Sequence, residues 1–131
     1  MASIVVNDNV FSINLSRNFN SFDFCDLISV NIIFKTYEIS VNEVDHYMER
    51  DDVKGIIDAL EAFCEEDFAE LAFDFSDRNV SFSLDKEYSD VLIEAFLDFE
   101  DSGFYVDEYD VKNFVNELKN EYHYVVEGSA N

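Results

Sequence analysis

Residues 91–110 read VLIEAFLDFEDSGFYVDEYD, and the architecture turns on whether this stretch is helix, metal loop or paired strands. As a helix, its apolar residues would surround the axis, a poor fit to the surface of an acidic protein. As a strand, 91–99 alternates: Val91, Ile93, Ala95, Leu97 and Phe99 point inward, while Leu92, Glu94, Phe96 and Asp98 point outward. The chain then turns at 100–103 and returns antiparallel over 104–109. Phe104 and Val106 join Phe99 on the inner side; Tyr105, Asp107 and Tyr109 face out. The calcium reading starts well, with Asp98, Glu100, Ser102 and Gly103 at positions 1, 3, 5 and 6 of an EF-hand register. It fails at position 12, where Tyr109 stands in place of the bidentate Glu. Strand–turn–strand is the reading adopted.

Outward from this stretch, the period changes twice. Toward the N-terminus, ELAFDFSDRNVSFSLD (70–85) places Leu71, Phe73, Phe75 and Val80, Phe82, Leu84 on one face, with a turn at 76–79. Before that hairpin, 52–66 carries Val53, Ile56, Ile57, Leu60, Phe63 and Cys64 on one helical stripe, with Asp58, Glu61 and Glu65 opposite. Phe11, Ile13 and Leu15 alternate with Ser12, Asn14 and Ser16 as a half-buried strand. The loop RNFNSFDFCD (17–26) holds three Phe expected to tuck into the core. In 27–41, inward parity runs Ile28, Val30, Ile32, Phe34 and then switches to Tyr37, Ile39, Val41, which requires a bulge or break near 33–35. Asn42 is a candidate cap for a short helical turn. Toward the C-terminus, Val111, Phe114, Val115, Leu118 and Tyr122 form the stripe of a closing helix over 111–122, with Asp110 as its N-cap. The expectation is α+β: a single curved antiparallel sheet of about six strands with two main helices packed on it. Residues 1–127 form one domain and 128–131 a flexible tail; no internal repeat of useful length is visible.

The 131 residues carry 30 acidic against 8 basic side chains, a formal charge of −22. With 14 Phe, 7 Tyr and 48% apolar residues, the chain has the bulk to offset ordering entropy, which excludes an acidic disordered segment. Charge on this scale repels itself in the compact state, and a cationic partner gives it a use. The same charge disfavours direct binding of nucleic acid or anionic membrane. The N-terminal MASIVVND has no basic and apolar leader pattern, and no run reaches the length of a membrane span. A cytoplasmic address is expected, with Cys25 and Cys64 as reduced packing residues.

Motifs that carry chemistry are missing from the sequence. There is no phosphate-cradling glycine loop, GxSxG elbow, CxxC pair or HExxH, and only three glycines. Glu43 and His46 form one Glu-x-x-His pair, whereas a helical di-iron site needs two such pairs and two further carboxylates. Neither catalytic residues nor cofactor nor metal is expected. The remaining candidate is a protein-contact patch: Glu94, Phe96, Asp98, Tyr105, Asp107 and Tyr109, with aromatics for buried area and carboxylates for Arg or Lys. The helix face Asp58, Glu61, Glu65 is a second candidate.

The succession VKGIIDALEAFCEE, LAFDFSDRNVSFSL, VLIEAFLDFED, FYVDEYD, VKNFVNELKNEY resembles small acidic immunity proteins of bacterial polymorphic and contact-dependent growth inhibition toxin systems, over residues 28–122. The resemblance implies a cytoplasmic, non-enzymatic inhibitor whose partner is a basic toxin domain, of nuclease type. It transfers no contact residue, because such families diversify them. The oligomeric state is left open by the sequence. Two alternatives stand beside it: a nucleic-acid mimic that blocks a host or phage DNA-binding protein, as anti-restriction and anti-CRISPR inhibitors do, and a calcium- or metal-binding domain using 98–109 or Glu43 and His46.

Overall fold

The computed structural model describes residues 2–17, 27–65, 69–75 and 80–127, apart from the side chains of His46, Tyr47 and Phe75. The elements are β1 (Ala2–Val6), β2 (Asn9–Arg17), β3 (Leu27–Lys35), β4 (Ser40–Glu49), α1 (Arg50–Glu65), β5 (Glu70–Phe75), β6 (Val80–Glu87), β7 (Asp90–Phe96), β8 (Asp101–Asp107) and α2 (Glu108–Glu127). The class is α+β, but the single six-stranded sheet is corrected to two four-stranded antiparallel sheets, β1-β2-β3-β4 and β5-β6-β7-β8. Four strands and a helix therefore occur twice in succession, a repeat of topology with no repeat of sequence behind it.

Two local features account for the division. Strand β4 passes into α1 at Arg50 without an intervening turn, so the chain leaves the first sheet as a helix and starts a new one at β5. The helical turn expected at Asn42 does not form, because 40–49 pairs with β3, from Lys35↔Ser40 to Leu27↔Glu49, with one register shift between Ile28 and Val30. The parity change near 33–35 is a chain reversal rather than a bulge: the Thr36 N–H donates to the Ile39 carbonyl at 2.9 Å. Tyr37, expected inward, sits on that reversal fully exposed, whereas Ile39 and Val41 are buried as expected. Strand β1 pairs with β2 and buries Ala2 and Ile4, an alternation too short to be recognised in the sequence.

The inner faces of both sheets and one stripe of each helix share one core. Phe82 is its hub, its ring centroid 6.1 Å from Phe11, 6.3 Å from Phe34 and 5.8 Å from Phe73. Phe34 meets Phe104 at 5.7 Å, and Phe11 meets Phe114 of α2 at 5.3 Å. The helical stripes are as the 3.6-residue period predicts, with Val53, Ile57, Leu60 and Phe63 of α1 and Val111, Phe114, Val115 and Leu118 of α2 buried.

Helix α2 begins earlier and ends later than expected. Its cap is Asp107, whose Oδ1 accepts the Tyr109 N–H at 2.8 Å, and Asp110 lies inside the helix. At the other end, Arg17 Nε donates to the Val125 carbonyl at 3.1 Å, placing a cation where the helix dipole is negative. Phe99 is corrected from inward to fully exposed. Strand β7 ends at Phe96, and the Leu97 N–H donates to the Glu100 carbonyl at 2.8 Å, so 97–100 is the turn. The loop at 18–26 with Cys25, the turn at 76–79 and the tail at 128–131 lie outside the described residues. Among the described residues no helix is long and apolar enough to cross a membrane.

Candidate functional site

The register of the second sheet lays its outward side chains in four rows, read from β5 to β8. The first is Asp74, Ser81, Phe96, Asp101; the second Ala72, Ser83, Glu94, Gly103; the third Glu70, Asp85, Leu92, Tyr105; the fourth Glu87, Asp90, Asp107. Both helices are on the opposite, buried side, where Phe82, Leu84, Ile93 and Phe104 lie. The outer face thus presents Glu70, Asp74, Asp85, Glu87, Asp90, Glu94, Asp101 and Asp107, and none of its strand positions is a cation. Several of these carboxylates stand directly opposite one another: Glu70↔Asp85, Glu87↔Asp90 and Asp90↔Asp107. Like charges in that position cost stability, and nothing in the fold requires them.

The first sheet shows that the composition did not force this. Its outward register positions are Ser3, Ser12, Asn14, Ser16, Ser29, Asn31, Ser40 and Asn42 with the apolar Val5, Val10, Leu27, Ile33 and Val44, and Lys35 and Glu49 are the charges among them. Acidity is concentrated on one of two topologically equivalent faces.

Apolar groups sit within the acidic field. Phe96 is 37% and Tyr105 53% exposed. The Tyr105 hydroxyl bonds to the Glu87 carboxylate, so the ring spans β7 from β8 to β6; that bond, with the charge of Glu87 behind it, raises the phenol's pKa. Between Phe96 and Tyr105 the second row is low. A Cβ added at Gly103 would stand 2.7 Å from Glu94 Cγ, 2.8 Å from the Ile93 carbonyl oxygen and 3.2 Å from Leu92 Cδ1. The side chains of Leu92 and Glu94 therefore lean across the glycine. Partial burial raises the Glu94 pKa, and repulsion from Asp85, Asp101 and Glu87 adds to it.

The β6–β7 turn adds an aromatic that periodicity does not flag. Tyr88 is fully exposed and has φ 61°, a left-handed conformation that bulky residues rarely adopt. The only signal for it is a two-residue gap, Tyr88-Ser89, between two alternating runs.

Of the residues expected in the contact patch, Glu94, Phe96 and Tyr105 share the outer face. Asp107 is at its edge and is committed to capping α2. Asp98 lies in the exposed turn beyond β7, and Tyr109, 68% exposed, belongs to the first turn of α2 rather than to a strand. The 98–109 segment is thus turn, strand and helix start. Glu43 and His46 lie in a strand, where the helical geometry of the Glu-x-x-His motif does not exist, and the side chain of His46 is outside the described set. Among the described residues no three His, Cys, Asp or Glu converge as a metal-holding group.

The second candidate patch is not a free acidic face. Glu61 pairs with Lys119 of α2, Asp58 with Lys54 at 3.8 Å, and Glu65 lines a groove between the helices with Lys112. Cys64 lines the same groove, its thiol pKa raised by burial against the lowering effect of Lys86 and Lys112. No family model, curated protein or solved structure matches the chain.

Proposed function

We propose that this protein is a non-enzymatic inhibitor of the immunity-protein kind, which binds a basic toxin domain of nuclease type in the cytoplasm and keeps nucleic acid from its cationic surface. The observation that carries the reading is the outer face of the second sheet: a field of carboxylates around Leu92, Phe96 and Tyr105 with no cation at its described strand positions, while the corresponding face of the first sheet has Lys35 and Glu49 as its charges among the described positions. Self-repulsion of this kind is relieved when a cationic surface docks. Long-range attraction also raises the association rate above the ~10⁵–10⁶ M⁻¹s⁻¹ of a neutral encounter. The aromatic and leucine side chains favour an anchored protein contact over pure phosphate mimicry, because a mimic of the phosphate backbone needs charges at phosphate spacing and no apolar side chains to bury.

The experiment is to identify the product encoded beside this gene, test any basic domain it carries for binding, and follow association by stopped flow across a salt series. Association should slow steeply between low and high salt. The combined variant Asp85→Lys, Glu94→Lys, Asp101→Lys should abolish both binding and protection from the toxin, while Asp58→Lys on α1 leaves them intact. Association indifferent to salt, or binding that survives the triple reversal, defeats the reading.

A further inference from the structure

The two units of four strands and a helix make the same kind of turn at the same place in their topology. In the first, β3 returns as β4 through Thr36-Tyr37-Glu38-Ile39; in the second, β7 returns as β8 through Leu97-Asp98-Phe99-Glu100. Both turns close with the same hydrogen bond, from the first N–H to the last carbonyl: Thr36 to Ile39 at 2.9 Å and Leu97 to Glu100 at 2.8 Å. Each has one apolar residue drawn toward the core, Ile39 buried and Leu97 partly so. Each also carries an aromatic at its tip, Tyr37 or Phe99, and both rings are fully exposed.

The two tips are tied to one another across the sheets. The Thr36 and Ser102 hydroxyls hydrogen-bond at 2.7 Å, two residues along each chain from the contact of Phe34 with Phe104. Thr36 Oγ1 also accepts the Glu38 and Ile39 N–H groups, at 3.2 and 3.3 Å, so the residue that fixes the first turn joins it to β8. Tyr37 adjoins one end of this tie, and Phe99 lies just before the buried Ser102 at the other. Single exposed aromatics are ordinary on a protein surface. A pair at equivalent tips of linked turns is not, and the fold does not need it: a fully exposed ring buries nothing, and Ile39 and Leu97 already hold the turns down.

We propose that Tyr37 and Phe99 are paired anchors that dock together into apolar pockets on a cationic protein surface. This rests on the proposed function and says where the partner is gripped. Charge selects the occupant. Glu38, Asp98, Glu100 and Asp101 are exposed around the tips, and Lys35 is the one cation within residues 35–40 and 96–102. Phe96 and Asp101, the last pair of β7 and β8, make the tips continuous with the acidic outer face. A second copy of this chain would bring another net charge of −22 against that rim, and an anionic lipid surface would be repelled in the same way. A basic protein satisfies both parts: its Lys and Arg pair with the rim carboxylates while its pockets take the rings. The turns are ordered before the encounter, so their backbone loses little freedom on docking.

The test uses the full chain with two peptides of equal length and charge as probes, one of Lys and Leu and one of Lys and Ser. Affinity is read by calorimetry and location by amide shift mapping. The Lys/Leu peptide should bind about tenfold tighter, its additional shifts falling over 36–39 and 97–101. The double variant Tyr37→Ser, Phe99→Ser should abolish that preference and leave the Lys/Ser affinity unchanged. Its melting temperature should also match the wild type, because neither ring packs against the protein. A preference that survives the double variant, or Lys/Leu shifts that lie elsewhere, overturns the anchors. The acidic-face reading then still stands if both peptides lose affinity in the Asp85→Lys, Glu94→Lys, Asp101→Lys variant. Binding of both peptides that is indifferent to that variant and to salt defeats both. Neutral phosphatidylcholine vesicles that sediment the wild type but not the double variant would assign the tips to a membrane. A dimer in analytical ultracentrifugation that the double variant dissolves would assign them to a second copy, and either result overturns the proposal.

Discussion

Tyr88 and Glu94 are two residues whose placement is unfavourable to the fold alone. A tyrosine at φ 61° carries a backbone cost of about 1–2 kcal/mol that glycine would not. Tyr88→Gly is therefore expected to stabilise the protein by about 1 kcal/mol in urea unfolding and, if the turn tip is an anchor, to weaken partner binding. Glu94 has its pKa raised in the folded state, so the folded protein holds that proton more tightly than the unfolded chain. The sign follows: above its folded pKa the ionised group lowers stability, and the loss disappears as pH falls through the carboxylate range. Glu94→Gln should raise the melting temperature at pH 7, with the gain shrinking toward pH 4 as wild-type Glu94 protonates. A gain independent of pH would point to packing instead. Alternation placed Glu94 outward in the sequence but could not show its partial burial, and Tyr88, one Tyr among seven, is flagged by no period.

At the scale of elements, local rules were reliable where one period ran long enough. Helix α1 and the β5–β6 pairing were legible because the apolar spacing extends over more than two turns or two strands. The 91–110 stretch was legible in type but not in bounds: strand β7 stops at Phe96 and Tyr109 is helical. Asp107 explains the second shift. As the residue that closes β8 and caps α2, it ends the alternation two positions before the sequence pattern does. Asp107→Ala should cost about 1 kcal/mol through loss of the cap, and Asp107→Asn much less, because the amide oxygen still accepts the Tyr109 N–H. Gly103→Ala is expected to destabilise, against the gain of about 0.5–1 kcal/mol that an unhindered strand Gly→Ala brings, since its methyl would meet the Ile93 carbonyl at 2.8 Å, a backbone atom that cannot turn aside. Both are read from denaturant midpoints.

For the whole molecule, Phe82 is where the two sheets become one structure. Its ring contacts Phe11 and Phe34 of the first sheet and Phe73 of its own. Phe82→Ala should cost about 3–5 kcal/mol, the range for a fully buried aromatic, and Phe73→Ala less, because Phe73 is only partly buried. A single cooperative transition in the weakened Phe82 variant is expected if the halves share one core; two transitions would show that each four-strand-and-helix unit folds by itself.

The sequence by itself determined the α+β class, both helical stripes, the inward set of β6 and β7, and the strongly acidic charge balance. All of these follow from period and composition, which are local or additive properties. Only the tertiary structure decided that the strands divide into two sheets, that Phe99 and Tyr37 point to solvent, and that Glu61 belongs to a helix–helix contact. It also decided which of two equivalent faces gathers the carboxylates. Those outcomes depend on which non-neighbouring segments cover which side of a strand, and alternation along a chain is the same whether its polar side meets water, a helix or another protein.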